Sequence, residues 1–185
     1  MTAQQKPKMT VEEFIPWAMA QKSGRYELVG GEIVAMAPER AAHNIIKLAV
    51  ARALQDAVKK AKLPCVVFTD GMSIRIDKHQ LREPDAAVQC GHKVDLNSTI
   101  LDKPLIVVEV VSPSSEKNDT GSKLAEYFAV PSILHYLIVD PYRPALIHHA
   151  RGEGGAIATR VHSGGMITMT PPGLELNVAD VLAAS

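Results

Sequence analysis

One apolar segment places the strongest limit on how this chain can fold. Residues 105–111 read Leu-Ile-Val-Val-Glu-Val-Val, a composition typical of a strand buried inside a sheet. Because side chains alternate between the two faces of a strand, Val107, Glu109 and Val111 share one face. The segment therefore predicts a central strand that carries a single carboxylate among valines.

Glu109 needs a partner in such a strand. Burying an unpaired carboxylate costs roughly several kcal/mol, unless its pKa rises until the group is neutral. A structural ion pair with Lys or Arg is the simpler interpretation, and a hydrogen-bond network or a metal ion are the others. The residues alone leave these three open.

Length and composition indicate an ordinary globular protein. At 185 residues with 46% apolar residues, we expect one domain at residues 10–184 after a flexible tail at residues 1–9. The tail has no apolar signal-peptide core, and no apolar run approaches the roughly 20 residues of a membrane span. We therefore expect a cytoplasmic protein.

Charge and cysteine content give two further expectations. Twenty basic and twenty acidic residues leave zero formal charge, which removes the simplest argument for a nucleic-acid binder but still permits a local basic groove. Cys65 and Cys90 lie in strand-like segments without CxxC spacing, so we expect free thiols with no function.

Periodicity and turn residues predict the remaining elements. Helices are expected at residues 10–20, 41–62, 118–129 and 177–184. Strands are expected at residues 25–29, 32–37, 65–69, 72–77, 85–90, 105–111, 134–139, 145–149, 156–161 and 173–176. We expect Gly30-Gly31 and Asp70-Gly71 to close two hairpins, and Asn118 or Asp119 to cap the third helix.

Two of these strands bring a second carboxylate toward Glu109. The loop between residues 85–90 and 105–111 is long enough for antiparallel pairing, which places Asp85 beside the end of the Glu109 strand. Lys123 lies near the start of the following helix, where the helix dipole disfavours a cation. Such a lysine indicates an anion nearby.

The order of these elements resembles the core of the PD-(D/E)xK, restriction-endonuclease-like superfamily. The motifs Arg-Glu-Pro-Asp at 82–85 and Val-Val-Glu-Val-Val-Ser-Pro-Ser at 107–114, followed by Asp119, Lys123 and Tyr127, are similar to the Uma-two-type family of bacterial endonuclease-like proteins. Residues 136–140, Tyr-Glu-Leu at 26–28 and His43 extend the likeness over roughly residues 10–182. It implies an α/β (α+β) fold: a central mixed sheet flanked by helices, with an N-terminal helix and hairpin and C-terminal strands.

The resemblance also implies a site. Mg²⁺ or Mn²⁺ would be held by Asp85, Glu109 and the backbone carbonyl of Val110, since Mg²⁺ prefers hard oxygen ligands. Val111 stands where the superfamily has its catalytic lysine, so Lys123 is expected to replace that amine.

Expectations also follow for four other residues. Glu27, ranked above Glu32 on the family's Tyr-Glu-Leu pattern, is a further candidate catalytic acid. His43 is either solvated or directed at the site, and Tyr127 is expected to pack rather than to act in catalysis.

The function expected is metal-dependent hydrolysis of phosphodiester bonds in nucleic acid, with DNA as substrate and a homodimer as the assembly. Two alternatives stay open. One is a non-catalytic module that binds nucleic acid or protein with the same fold, and the other is a hydrolase of a smaller phosphoester.

Overall fold

The computed structural model describes residues 7–91, 93–111, 120–140 and 142–182. The helices are α1 (Val11–Met19), α2 (Ala41–Ala61), α3 (Thr120–Ala129) and α4 (Val178–Leu182). The strands are β1 (Tyr26–Val29), β2 (Glu32–Ala35), β3 (Cys65–Thr69), β4 (Ile74–Asp77), β5 (Gln80–Arg82), β6 (Ala86–Cys90), β7 (Pro104–Val110), β8 (His135–Asp140), β9 (Ala145–Arg151), β10 (Ile157–His162), β11 (Met166–Met169) and β12 (Leu174–Asn177). No helix within these ranges is long and apolar enough to cross a membrane.

The main sheet has six strands in the order β10-β9-β8-β7-β6-β3. Strand β7 pairs in parallel with β8 and antiparallel with β6, so the sheet is mixed. The aliphatic segment of the sequence lies at its centre, with neighbours on both sides and Ile106, Val107 and Val108 fully buried. This confirms the predicted fold class and the central place of this strand.

The two faces of β7 contribute to two different cores. Ile106, Val108 and Val110 pack with α2, α4 and the β11–β12 hairpin. Val107 faces the other way and packs with Tyr127 of α3. Helices therefore cover both faces of the sheet, and the face that carries Glu109 is the one covered by α3.

A second sheet has the strand order β2-β1-β5-β4. Helix α1 packs against it. The predicted capping box is present at the start of α1, where the Thr10 hydroxyl accepts from the Glu13 N–H and the Glu13 carboxylate accepts from the Thr10 N–H. Gly30 and Gly31 take positive φ angles of 57° and 85° between β1 and β2. Such angles favour glycine, so the predicted hairpin forms there.

The second predicted hairpin, at residues 65–77, is wrong. Strand β3 pairs with β6 in the main sheet, and β4 pairs with β5 in the small sheet. The turn at Asp70-Gly71 thus carries the chain from one sheet to the other. Strands β5 and β11 lie outside the predicted ranges because each is only three or four residues long, too short for clear alternation.

The expectation of free thiols is also wrong, because Cys65 and Cys90 form a disulfide. These residues lie directly opposite each other in the β3–β6 ladder, with their Cα atoms 4.0 Å apart. The predicted helix cap at Asn118 or Asp119 lies outside the described residues.

Candidate metal and catalytic site

Asp85 and Glu109 lie at the same end of two neighbouring strands. The antiparallel register pairs Ala86 with Val108. This places Asp85, the residue before β6, beside Glu109 near the end of β7. The Oδ2 atom of Asp85 accepts a hydrogen bond of 2.7 Å from the backbone N–H of Val110. The two carboxylates therefore share one edge of the main sheet, and both side chains are 12% exposed.

Helix α3 supplies two donors to Glu109. The Nζ atom of Lys123 donates to Oε2 at 3.1 Å, and the Oη atom of Tyr127 donates to Oε1 at 2.6 Å. Lys123 and Tyr127 are four residues apart, so they lie on the same face of the helix. Tyr127 packs in the core as expected, but its hydroxyl also fixes the carboxylate, which its place in an apolar stripe does not reveal.

The pKa of Glu109 rises from its ordinary value of 4.5 to about 7. Burial is the largest cause, and repulsion by Asp85 and Glu27 adds to it, while Lys123 and Tyr127 lower the pKa and only partly offset the rise. The charged form of Glu109 is thus disfavoured mainly by burial, and the neighbouring carboxylates add to this. A divalent cation beside Asp85 and Glu109 would stabilise the charged form, and two carboxylates offer the hard oxygen ligands that the expected metal prefers.

His43 faces the same site, from the first turn of α2. Its Nε2 atom lies 2.9 Å from Oδ1 of Asp85. Burial acts to lower the pKa of His43, but the hydrogen bond and the charge of Asp85 raise it above the ordinary value. The solvated alternative is therefore excluded, and both oxygens of Asp85 have protein partners.

Glu39 is a site residue that the sequence analysis missed. Its carboxylate, the His43 imidazole and the Asp85 carboxylate each offer a ligand atom within 4.8 Å of the others. Glu39 also pairs with Lys47, through Nζ–Oε2 at 2.6 Å. An acid and a histidine four residues apart at a helix start were the available signal, although exposed acids are common at such positions.

Glu27 points inward, whereas Glu32 is exposed. The Oε2 atom of Glu27 accepts from Nη1 of Arg82 at 2.9 Å, and Oε1 accepts from the N–H of Glu83 at 3.0 Å. Arg82 also donates to both oxygens of Glu126, at 2.7 Å and 3.0 Å. Glu27 therefore borders the site as a fixed negative charge with both oxygens already engaged.

Comparisons with known proteins identify the family and the fold of this chain. A family model described as "Uma2: Putative restriction endonuclease" matches residues 11–183. An uncharacterised protein from Synechocystis sp. is 25% identical over 174 residues, which cover 93% of this chain and 90% of that protein. The crystal structure of a "putative nuclease belonging to DUF820" from Anabaena variabilis superposes with a TM-score of 0.72 at 15% identity, covering 95% of this chain and 98% of that one. At that identity the structural likeness establishes the shared fold.

Proposed function

This chain belongs to the Uma2 restriction-endonuclease family, and from that membership we propose that it is a divalent-metal-dependent nuclease that hydrolyses phosphodiester bonds in DNA. The observation that carries the proposal is the meeting of Asp85, Glu109 and Lys123 at one edge of the main sheet. Two carboxylates and one amine are the groups that such chemistry needs.

Asp85 and Glu109 would hold the cation, with the Val110 carbonyl as the third protein ligand and Mg²⁺ or Mn²⁺ as the ion. The imidazole of His43 beside Asp85 favours Mn²⁺ more than Mg²⁺, because nitrogen ligands suit transition metals. When bound, the ion supplies Lewis-acid chemistry: it activates water and neutralises charge on the scissile phosphate.

The protein groups around the carboxylates then have separate tasks. Lys123 would donate to a phosphate oxygen or orient the attacking water, since its ammonium is fixed at the carboxylate edge by α3. Tyr127 would hold the orientation of Glu109 through its 2.6 Å hydrogen bond. His43 and the Val110 N–H do the same for Asp85. Pre-organised groups of this kind contribute to rate without moving during the reaction.

The experiment is a cleavage assay with supercoiled plasmid and single-stranded DNA in Mg²⁺, Mn²⁺ or EDTA. We expect cleavage only with metal, and a loss of about 100-fold or more in Asp85→Asn, Glu109→Gln and Lys123→Met. Asp56→Asn and Lys60→Met change the same charges at exposed positions of α2 and should retain full activity. Cleavage that survives Glu109→Ala would refute the assignment of the site.

One observation favours a second candidate, the non-catalytic binding module. All four oxygens of Asp85 and Glu109 already have protein partners, namely His43, the Val110 N–H, Tyr127 and Lys123. Titration calorimetry with Mn²⁺ separates the two candidates. Heat of binding that disappears in Glu109→Gln supports the nuclease, and no heat from the intact protein supports the module.

We also propose a two-fold homodimer, because two copies of the site could then act on both strands of a duplex. Sedimentation equilibrium tests this directly. A mass of twice the 20.0 kDa of one chain is expected, and a single-chain mass at all concentrations would refute it.

A further inference from the structure

A cavity of about 200 Å³ lies between helix α1 and the small sheet. The proposed chemistry makes no use of it. Its wall combines aromatic, hydroxyl and charged side chains, among them Phe14, Tyr26, Ser73, Thr99, Arg25 and Glu83. The volume is below the roughly 300–1,000 Å³ of pockets for drug-sized ligands, so it suits a single ring system better than a large cofactor.

Aromatic rings gather at this cavity although the chain has few of them. The chain contains one Trp, four Tyr and three Phe, and Phe14 and Tyr26 line the cavity. The ring centroids of Phe14 and Trp17 are 5.9 Å apart, and those of Trp17 and Tyr26 are 5.0 Å apart. The sole tryptophan therefore contacts both of the aromatic rings that line the cavity.

The Tyr26 ring packs against Gly24, where no side chain is present. Gly24 has a φ of +90°, and a Cβ atom there would lie 2.8 Å from the Tyr26 Oη atom. A side chain at this position would thus displace the ring, so glycine is needed both for its backbone angle and for the space. The Tyr26 ring is held against the main chain and keeps one side of the cavity aromatic.

Arg25 connects the cavity to the candidate metal site. Its guanidinium pairs with Asp70 at 2.7 Å, with Glu39 at 3.1 Å and also with Glu83. Glu39 belongs to the group with His43 and Asp85 described above. The ion pair between Arg25 and Glu39 therefore links the cavity wall directly to the candidate metal site.

We propose that this cavity binds one unstacked base of the nucleic-acid substrate. The proposal rests on the proposed nuclease function and specifies its substrate as single-stranded or locally unpaired DNA. Aromatic faces and an arginine plane are the groups that stack on bases, and stacking tolerates any base. Arg25 and Glu83 border the cavity as an ion pair, and a base inside a duplex would first have to leave its stack.

Binding is measured in EDTA, so that no cleavage occurs, with the fluorescence of Trp17 as the readout. A single-stranded oligodeoxynucleotide should change the emission of Trp17 on binding. An abasic oligomer of the same length and charge should bind at least about ten-fold more weakly, the lower range expected for the loss of base–aromatic stacking. Equal affinity for the two oligomers would overturn the proposal.

Three variants test the location by fluorescence anisotropy of a labelled oligonucleotide. Ala18→Phe places a ring where Ala18 lines the cavity, and Tyr26→Leu removes a stacking face but retains apolar volume. Each should weaken binding about ten-fold and remove the preference over the abasic oligomer. Ala20→Phe, at an exposed position beyond α1, should bind as the unmodified protein does. Circular dichroism verifies that each variant is folded, and unchanged binding in folded Ala18→Phe and Tyr26→Leu would refute the location.

Failure of this proposal is distinguishable from failure of the proposed function. Base-dependent binding without cleavage in Mn²⁺ supports the cavity and refutes the nuclease. Cleavage with base-independent binding supports the nuclease and refutes the cavity.

Discussion

In the absence of metal, the Glu109→Gln variant should become more stable than the wild type as the pH rises. Glutamine preserves the shape of the side chain and can still accept from Tyr127, but it carries no charge. The pKa of Glu109 is about 7 in the folded protein against an ordinary value of 4.5. At about 1.36 kcal/mol for each pKa unit, this difference corresponds to about 3 kcal/mol.

The sign follows from proton binding. Below pH 4.5 the carboxyl is protonated in both the folded and the unfolded chain. Between pH 4.5 and about 7 the unfolded chain releases the proton while the folded protein keeps it. The free energy of unfolding of the wild type therefore falls over this window, and the contribution of Glu109 is lost once the pH exceeds about 7.

The assay is urea denaturation of both proteins in EDTA at several pH values from about 4 to about 8. Titrating groups distant from Glu109 cancel between the two proteins, so the difference in unfolding free energy reports Glu109 together with the groups that contact it. This difference should move by about 3 kcal/mol in favour of the variant. A difference that stays constant or moves the other way would refute the buried, destabilised carboxylate at Glu109 that a metal ion is proposed to stabilise.

Three other predictions concern stability. Arg82→Met should cost about 3 kcal/mol in urea denaturation, because it leaves the buried Glu27 and the partly buried Glu126 without their cation; a cost below about 1 kcal/mol would contradict this. Burial lowers the pKa of His148 from 6.5 to about 4, so folding stability should be lost as the pH falls through that window. His148→Gln should remove roughly 2 kcal/mol of this loss in thermal melts at pH 4 and 6.5. Cys65→Ser opens a disulfide that spans 25 residues and should cost about 3 kcal/mol, and an unchanged melting temperature would argue against the bond.

The central features of the fold and site were predictable because they depend on local patterns. Alternation along residues 105–111 identified a buried strand, and the length of the preceding loop indicated its antiparallel neighbour. Together these place Asp85 near Glu109, and helical spacing then places Lys123 and Tyr127 on one face of α3. Each step needs only the period of an element and the length of a connection.

The features that were missed depend on contacts between distant segments. Cys65 and Cys90 bond only because β3 pairs with β6 rather than with the next strand along the chain. Glu39 lies at the site only because the start of α2, with the loop before it, packs beside Asp85. Local periodicity contains no information about either choice, and a one-residue change of register would separate the cysteines.

The proposed nuclease function requires that Asp85 and Glu109 hold one divalent cation. Crystals soaked in Mn²⁺ test it most directly, through the anomalous signal of the ion. We predict a peak bonded to a carboxylate oxygen of Asp85 and to one of Glu109, at about 2.2 Å from each. A peak bonded to Glu39 and His43 without Glu109, or no peak while Lys123 remains on Glu109, would contradict it.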